Sequence, residues 1–271
     1  MKENLLTDRS VQMPGIYKSG TVHTVTAPEL SVVIPVYNEE CSIAELINET
    51  VAVLEGKYSF EIIIVDDGSS DKTVHVLKTL LAHHDNLKLL VHERNYGQSS
   101  AIHTGFTAAS AEWVITMDGD GQNDPHDILK LLDILNSPDS KPNLKLICGY
   151  RINRNDNFIK RISSRVANKI RSSILGDMTP DTGCGLKLVN KRTFLKLPFF
   201  DHMHRFIPAL VLQSGGELIS VEVNHRPRLQ GVSKYGTHDR LWTGIIDMFA
   251  VLWLKRRNKL PKVEEVKKNE Y

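Results

Sequence analysis

The chain has 271 residues, 41% of them hydrophobic, which is enough to bury the core of one large domain. Its 34 Lys and Arg residues nearly balance 32 Asp and Glu residues, and the resulting net charge of +2 argues against a nucleic-acid-binding protein. Three scattered cysteines (Cys41, Cys148 and Cys184) exclude a disulfide framework and a cysteine metal site, and they fit a reducing compartment.

The sequence also bears on location. The polar N-terminus lacks the apolar segment of an export signal, and no apolar run reaches the about 20 residues that cross a bilayer. We therefore expect a protein in the cytosol or on the cytosolic side of a membrane. Residues 1–28 show no clear period and predict an N-terminal extension.

From residue 30 onward, short apolar runs alternate with helical patterns. Strands are predicted at 30–36, 60–65, 87–91 and 112–117. Helices are predicted at about 43–55, after residue 71 to about residue 82, and at about 99–110. Such alternation is typical of an α/β domain with a mainly parallel central sheet and helices on both faces.

Polar motifs follow three of these strands. They are Pro35-Val36-Tyr37-Asn38-Glu39, Asp66-Asp67 and Asp118-Gly119-Asp120. Ligands of parallel sheets bind beyond the carboxyl ends of the strands, so the three motifs are expected to converge on one edge. The expected convergence of the three motifs is stronger evidence for a ligand-binding site than any one of them.

The motif Asp118-Gly119-Asp120-Gly121-Gln122 predicts a divalent metal site. Two carboxylates separated by one residue after a strand can converge on one point, and hard oxygen ligands suit Mg²⁺ or Mn²⁺. Gln122 can add a carbonyl oxygen or position a metal-bound water. A solvated turn is the alternative explanation of an isolated Asp-x-Asp motif.

The second half of the chain is less regular. A strand is predicted at 144–150, a glycine-punctuated loop runs into a strand at 181–188, a helix spans 204–213, and a further strand covers 218–223. A basic amphipathic helix is predicted at 158–174, with Lys160, Arg161, Arg165, Lys169 and Arg171 away from its apolar face. It packs on the core with a solvated face, or it presents that face to anionic lipid.

Two C-terminal features follow. The loop 226–235 concentrates Arg226, Arg228 and Lys234 around Gly231, which suits closure over phosphates. A largely apolar helix at 241–254, followed by Lys255-Arg256-Arg257, is too short to span a bilayer but suits an interfacial helix. A helix packed into the core is the alternative.

The ordered set of motifs resembles family 2 glycosyltransferases, specifically the dolichol-phosphate mannose synthase-like branch that charges polyprenyl phosphates. It covers about residues 30–240. The motifs that carry it are Val33-Ile34-Pro35-Val36-Tyr37-Asn38-Glu39-Glu40, Val65-Asp66-Asp67-Gly68-Ser69, Asn95-Tyr96-Gly97, Asp118-Gly119-Asp120-Gly121-Gln122, Asp181-Thr182-Gly183-Cys184-Gly185 and Arg228-Leu229-Gln230-Gly231-Val232-Ser233-Lys234-Tyr235.

The resemblance implies a GT-A fold, with a Rossmann-like, mixed and mainly parallel sheet, and a role for each motif. The residues implied to bind the nucleotide-sugar donor are Pro35, Tyr37, Glu39, Val65, Asp66, Asp67, Asp118, Gly119, Asp120, Arg228 and Lys234. Mg²⁺ or Mn²⁺ is implied at Asp118, Asp120 and Gln122 to neutralise the leaving nucleoside diphosphate, and Arg228 and Lys234 would add charge as the loop closes. The resemblance implies a UDP- or GDP-sugar as the donor.

A polyprenyl phosphate acceptor such as undecaprenyl or dolichyl phosphate bears on the mechanism. A phosphate with a second pKa of about 6 is mostly ionised at neutral pH and needs no general base. Relatives that glycosylate hydroxyls use an aspartate near Asp181 as a base, so Asp181 is a catalytic candidate. Arg161, Arg165 and Arg205 are candidates for binding the acceptor phosphate. We expect single displacement with inversion.

The chain departs from the family at Gln98, where many members carry lysine, and this puts the role of that lysine in doubt. The Gln-x-x-Arg-Trp motif of processive synthases is absent, so one sugar per turnover is expected. We expect a domain at 29–238, an interfacial helix at 239–258 and a charged tail at 259–271. A transferase acting on hydroxyl acceptors and an inactive scaffold remain alternatives. Homo-oligomerisation stays open.

Overall fold

The computed structural model of the chain describes residues 27–151, 171–177, 179–227 and 237–257, with side chains from residue 244 onward in the last range. The strands are β1 (Leu30–Val36), β2 (Phe60–Asp66), β3 (Leu87–Val91), β4 (Trp113–Thr116), β5 (Leu144–Arg151), β6 (Lys187–Asn190) and β7 (Glu217–Val223). The helices are α1 (Ile43–Leu54), α2 (Thr73–Leu81), α3 (Gln98–Ala108), α4 (Asp127–Leu135), α5 (Lys191–Lys196), a 3-10 helix (Met203–Arg205), α6 (Ile207–Gln213) and α7 (Thr237–Arg257).

All of these strands form one sheet in the order β3-β2-β1-β4-β6-β5-β7. The pairs β1–β2, β2–β3, β1–β4 and β5–β7 are parallel, whereas β6 runs antiparallel to both β4 and β5. The carboxyl ends of the other six strands therefore meet at one edge, and β6 contributes its first residue, Lys187, to that edge. The predicted α/β class with a mixed and mainly parallel sheet is confirmed.

The sheet is covered on both faces, which explains its continuous apolar strands. In β1, Val32 and Ile34 pack into the core on one face while Val33 packs into the core on the other, and all three are fully buried. A strand with two buried faces reads as an unbroken apolar run without polar alternation. The strand predicted at 30–36 has these bounds.

Two helices were not predicted from the sequence. Helix α4 follows the polar turn after β4 and buries Ile128, Leu131 and Leu132, while the short α5 buries Phe194. With nine and six residues, these helices offer too few turns for a strong helical period. Their apolar sides are recognisable only against the sheet that they cover.

Of the predicted basic helix at 158–174, the structure describes residues 171–174, and these are helical. The sequence predicts Arg171 on the basic face, and this is wrong. Arg171 is largely buried and donates from Nη1 to Asp177 Oδ2 at 2.5 Å. Because a fully buried carboxylate requires a counter-charge, Asp177 draws this guanidinium inward. Burial outweighs the nearby Asp177 charge and lowers the pKa of Arg171.

Helix α7 extends beyond the predicted 241–254 and has two different sides. Val251 is buried against the sheet domain, and Lys255 Nζ donates to the Leu175 carbonyl at 3.0 Å. On another side, Ile246, Phe249 and Trp253 are 65%, 62% and 60% exposed. The helix is thus anchored to the domain while a stripe of apolar side chains faces outward. In the described part of the chain, no helix meets the length and apolarity needed to cross a membrane.

Candidate active site

The Asp-Gly-Asp loop leaves β4 at the carboxyl edge of the sheet and is held by its own backbone. Asp118 N donates to Asn123 Oδ1 at 3.0 Å, and Gln122 N donates to Asp120 Oδ1 at 3.1 Å. Gly121 has φ 74°, a conformation that favours glycine. These contacts close the tight turn that the sequence predicts, with both aspartates at its start.

Gly119 allows the Asp-Gly-Asp loop to pack closely against β1. A Cβ atom on Gly119 would lie 2.6 Å from Val36 Cγ1, so only glycine lets the loop approach β1. The Gly119 carbonyl accepts a hydrogen bond from Ser42 Oγ at 2.9 Å, and the same hydroxyl lies 3.3 Å from Glu39 Oε2. The metal motif and the first motif of the chain are therefore in direct contact.

The Asp118 carboxylate is confined by residues from two other segments. Gln98 Nε2 donates to Asp118 Oδ1 at 2.8 Å. Gly185 lies against the same carboxylate, because a Cβ added there would stand 2.3 Å from Asp118 Oδ2. The Gly185 carbonyl in turn accepts from Thr116 Oγ1 at 2.7 Å. The glycine of the 181–185 motif thus provides the space that this carboxylate occupies.

The electrostatics of Asp118 fit a divalent cation. Burial, followed by the negative charge of Asp120, raises the pKa of Asp118 to about 6. The positive charges of Lys187 and Arg151 and the hydrogen bond from Gln98 offset part of that rise. Two carboxylates that destabilise each other's charge in a shared site are the donor set that a hard cation neutralises.

A second acidic group lies nearby but already has a cation. Ligand atoms of Glu49, Asp124 and His126 lie within 4.8 Å of one another, a spacing that could hold a metal ion. Arg226 donates to both Glu49 oxygens at 2.6 Å and to Asp124 Oδ1 at 2.7 Å. The guanidinium therefore supplies the positive charge there. The sequence suggested Arg226 for phosphates, and the structure instead commits it to these two carboxylates.

The end of β7 is joined to the metal loop. Arg226 N donates to the Gln122 carbonyl at 2.9 Å, and Asn123 forms an isolated antiparallel bridge with His225. Gln122 Nε2 lies 3.4 Å from His225 Nε2. The segment that leads into residues 228–236 is therefore fixed against the Asp-Gly-Asp loop.

The two aspartates after β2 have different surroundings. Asp67 accepts from Tyr96 N at 2.9 Å, from Gly97 N at 2.7 Å, and contacts His92 Nδ1 at 2.7 Å. Asp66 is fully buried, and its Oδ1 accepts from Ser69 N at 3.0 Å. Its Oδ2 has no hydrogen-bond partner among the residues that the structure describes. Asp67 thus holds the loop at 93–97, whereas Asp66 retains an acceptor for a donor group.

The first motif is joined to the segment after Asp67. Asn38 takes a left-handed conformation with φ 54°, and its Oδ1 accepts from Ser70 N at 2.7 Å. Glu39 N donates to Thr73 Oγ1 at 2.8 Å. Pro35 is paired with Val65 in the β1–β2 register, and Tyr37 follows at the edge. The predicted nucleotide-binding residues of the first two strands therefore lie side by side at this edge of the sheet.

Asp181 has a cationic partner that the sequence analysis missed. Arg151 Nε and Nη2 donate to its two oxygens at 2.7 and 3.1 Å, and Gly183 N donates at 3.1 Å. Burial acts against the Arg151 charge, but the hydrogen bond and charge of Asp181 outweigh it and raise the pKa of Arg151. Because both oxygens of Asp181 accept hydrogen bonds from Arg151, this aspartate holds the guanidinium in a fixed position.

Lys187 is a second cation that the sequence analysis passed over. It is buried at the start of β6, and its Nζ donates to the Cys184 carbonyl. The available signal was a lysine inside an apolar strand directly after a glycine motif, since such a lysine is rarely buried without a role. Together with Arg151 it places positive charge beside Asp118.

The remaining predicted residues divide into two groups. Arg205 ends the 3-10 helix, next to His204, which is held by Ser99 Oγ at 2.8 Å. Burial, followed by the charge of Arg205, lowers the pKa of His204 well below its usual value. The other predicted cations, Arg161, Arg165, Arg228 and Lys234, lie outside the described residues.

Comparison with known proteins agrees with this arrangement. Residues 31–197 match the family model of glycosyl transferase family 2. Dodecaprenyl-phosphate galacturonate synthase of Rhizobium johnstonii is 35% identical over 247 residues, which cover 89% of this chain and 72% of that protein. Undecaprenyl-phosphate 4-deoxy-4-formamido-L-arabinose transferase of Edwardsiella ictaluri is 34% identical over 210 residues, 76% of this chain and 63% of that protein.

Solved structures show the same fold. Glucosyl-3-phosphoglycerate synthase of Mycobacterium tuberculosis, in complex with Mn²⁺, UDP and glucosyl-3-phosphoglycerate, matches with a TM-score of 0.63. The identity is 17%, and the match covers 84% of this chain and 80% of the other. The same enzyme with Mg²⁺ and UDP also gives a TM-score of 0.63. The expected GT-A architecture and the family resemblance are both confirmed: the chain is a glycosyltransferase and belongs to glycosyltransferase family 2.

Proposed function

We propose that the protein transfers one sugar from a nucleotide-sugar to a polyprenyl phosphate at the cytosolic face of a membrane. The observation that carries this proposal is the 35% identity, over 89% of the chain, to an enzyme named for making a dodecaprenyl-phosphate-linked sugar. A second relative is named for transfer to undecaprenyl phosphate. Free cysteines, including the exposed Cys41, fit the reducing cytosol, where we place the donor site.

In this proposal the donor binds along the carboxyl edge of the sheet. Tyr37, Glu39 and Val65 line the nucleotide side. Asp66, whose buried Oδ2 has no hydrogen-bond partner among the described residues, accepts a hydrogen bond from the base once this edge opens to admit the donor. Both uracil and guanine present a ring N–H, so this contact alone is compatible with UDP- and GDP-sugars. Asp67 contributes indirectly, by holding the backbone of Tyr96 and Gly97.

Asp118, Asp120 and Gln122 are the residues that we propose hold Mg²⁺ or Mn²⁺. The bound ion would neutralise charge on the diphosphate leaving group. The raised pKa of Asp118, caused by burial and by Asp120, supports a site whose charge a cation offsets. Arg228 and Lys234 are proposed to add charge to the same diphosphate, because the preceding residue pair His225 and Arg226 is joined to the metal loop.

The acceptor phosphate requires orientation more than deprotonation. Because it is mostly ionised at neutral pH, its oxygen can attack the anomeric carbon directly, with inversion and departure of the nucleoside diphosphate. Asp181 then serves to hold Arg151, whose guanidinium lies close enough to Asp118 to lower the pKa of that carboxyl. Arg205, with Arg161 and Arg165 of the basic segment, is proposed to bind the acceptor phosphate.

Helix α7 is proposed to bring this edge to the membrane. Its exposed residues Ile246, Phe249 and Trp253 recur at spacings of three and four, so they share one side of the helix. Lys255, Arg256 and Arg257 follow in its last turn, where cations can meet anionic head groups. An amphipathic helix of this kind binds in the interface plane.

The central experiment incubates the purified chain with Mn²⁺, undecaprenyl phosphate and a panel of radiolabelled UDP- and GDP-sugars. We expect one donor to give a lipid product that releases its sugar on mild acid treatment, as a phosphate-linked sugar does. The Asp120→Ala variant should lose this activity. Label transferred only to hydroxyl acceptors would contradict the proposed acceptor, and no transfer from any donor would favour an inactive scaffold.

A separate experiment tests the membrane contact. Sedimentation with vesicles containing anionic phospholipid should recover the wild-type protein but much less of the double variant Phe249→Ser/Trp253→Ser. Both side chains are more than half exposed, so the variant should keep its melting temperature. Equal sedimentation of both proteins would assign membrane binding to another part of the chain.

A further inference from the structure

We propose that Gln98 is a positioning residue of the metal site, which orients Asp118 through a neutral hydrogen bond and leaves the full carboxylate charge for the divalent cation. This inference rests on the proposed assignment of the metal to Asp118 and Asp120. It concerns the position at which many members of the family carry lysine.

The contact between the two side chains is direct. Gln98 Nε2 donates to Asp118 Oδ1 at 2.8 Å, a good length for an N–H···O bond. A carboxylate has about four lone-pair positions on its two oxygens, so one donor leaves others for a cation. Gly185 also limits the position of the carboxylate, because even one added carbon there would stand 2.3 Å from Oδ2.

Gln98 projects from a rigid base. It is the first residue of α3, and the preceding Gly97, at φ +93°, has its N–H bound to Asp67 Oδ2 at 2.7 Å. Further along α3, a Cβ on Gly105 would stand 2.3 Å from Val33 Cγ1, so this helix lies unusually close to β1. The amide of Gln98 therefore reaches Asp118 from a fixed position.

Charge explains why a neutral donor matters here. Lys187, opposite Thr116 at the start of β6, and Arg151, at the end of β5, already place two cations at this edge of the sheet. A lysine at position 98 would add a third cation. Unlike the other two, this ammonium would lie within hydrogen-bond reach of the Asp118 carboxylate. A divalent ion about 5 Å from such an ammonium would bind at least about tenfold more weakly, even at the dielectric constant of bulk water.

Orientation and charge can be separated by two substitutions. Gln98→Met keeps the size of the side chain and removes the donor, so Mn²⁺ affinity should fall about tenfold, as for other groups that orient metal ligands. Gln98→Lys keeps a donor and adds charge, so it should bind Mn²⁺ more weakly than Gln98→Met. Both variants should retain the wild-type melting temperature, since the side chain is exposed at this contact.

The experiment measures Mn²⁺ binding to the full chain by electron paramagnetic resonance in the presence of UDP, without turnover. Ser100→Ala is the matched control, since Ser100 lies on the same turn of α3 and its hydroxyl donates to the Tyr96 carbonyl. Asp118→Asn tests the metal site itself. Wild-type affinity in both Gln98 variants, with binding lost in Asp118→Asn, would overturn the role of Gln98 but leave the metal site intact. Equal binding by wild type and Asp118→Asn would overturn both.

Discussion

Gly185→Ala should damage catalysis without unfolding the protein. The added Cβ would lie 2.3, 2.4 and 2.6 Å from Oδ2, Cγ and Oδ1 of Asp118. Carbon–oxygen contacts in proteins are rarely shorter than about 3.4 Å, so the carboxylate must move by about 1 Å. Its terminal atoms can rotate away, whereas no backbone atom is among the three nearest neighbours. The disturbance therefore falls on the position of Asp118.

A displacement of about 1 Å in a catalytic constellation costs roughly 100-fold in rate. We expect kcat/KM of Gly185→Ala to fall by about that factor, with a higher Mn²⁺ concentration needed for half-maximal activity, while the melting temperature changes by only a few degrees. Transfer of labelled sugar to lipid measures the first quantity, and differential scanning fluorimetry measures the second.

Gly244→Ala is the matched control for this substitution. Gly244 lies in α7, and a Cβ there would meet no atom within 4 Å. Alanine should leave activity unchanged and raise the stability of the helix by up to about 1 kcal/mol. Full activity of Gly185→Ala would refute the reasoning, because it would mean that the observed position of the Asp118 carboxylate is not needed. Loss of folding in Gly185→Ala would refute the argument that its side chain can yield.

Three further predictions concern charges near the site and in the core. Asp181→Asn removes the carboxylate that accepts both hydrogen bonds from the largely buried Arg151 guanidinium, so the free energy of unfolding should fall by about 3 kcal/mol in urea titrations; the pH dependence of kcat should be that of wild type if Asp181 is no base. For Glu61, burial raises the pKa, but hydrogen bonds, led by that from Lys88, lower it below its usual value. Its stabilising effect is therefore present above the unfolded-state pKa and lost as pH falls through the folded one, so the deficit of Glu61→Gln at pH 7 should shrink below about pH 4. Arg226→Ala removes the guanidinium that pairs with Glu49 and Asp124 beside the metal loop, and we expect the donor KM to rise about tenfold; an unchanged KM would separate this cluster from the site.

Local patterns in the sequence predicted the alternation of strands and helices from β1 to β4. Strand β1 is an unbroken apolar run because both faces of the sheet are covered, and such a run is visible without knowing what covers it. The position of Asp118-Gly119-Asp120 directly after a strand predicted the edge on which it lies. The resemblance to the family rested on the order of such motifs, and it was confirmed.

The tertiary structure decided which charges meet. Asp181 and Arg151 are 30 residues apart, and Arg226 lies 177 residues from Glu49. No local period carries information about such pairs, because the sheet order that brings them together is set by packing of the whole chain. The sequence therefore suggested Arg226 for phosphate binding, whereas in the fold its guanidinium is paired with the carboxylates of Glu49 and Asp124.

The same reason explains the two neighbouring aspartates after β2. By sequence, Asp66 and Asp67 are equivalent carboxylates at a strand end. In the fold, Asp67 accepts hydrogen bonds from the backbone of Tyr96 and Gly97. One oxygen of Asp66 has no partner among the described residues. The sequence determined that carboxylates would follow this strand, and only the three-dimensional placement of the loop at 93–97 decided which of the two holds that loop.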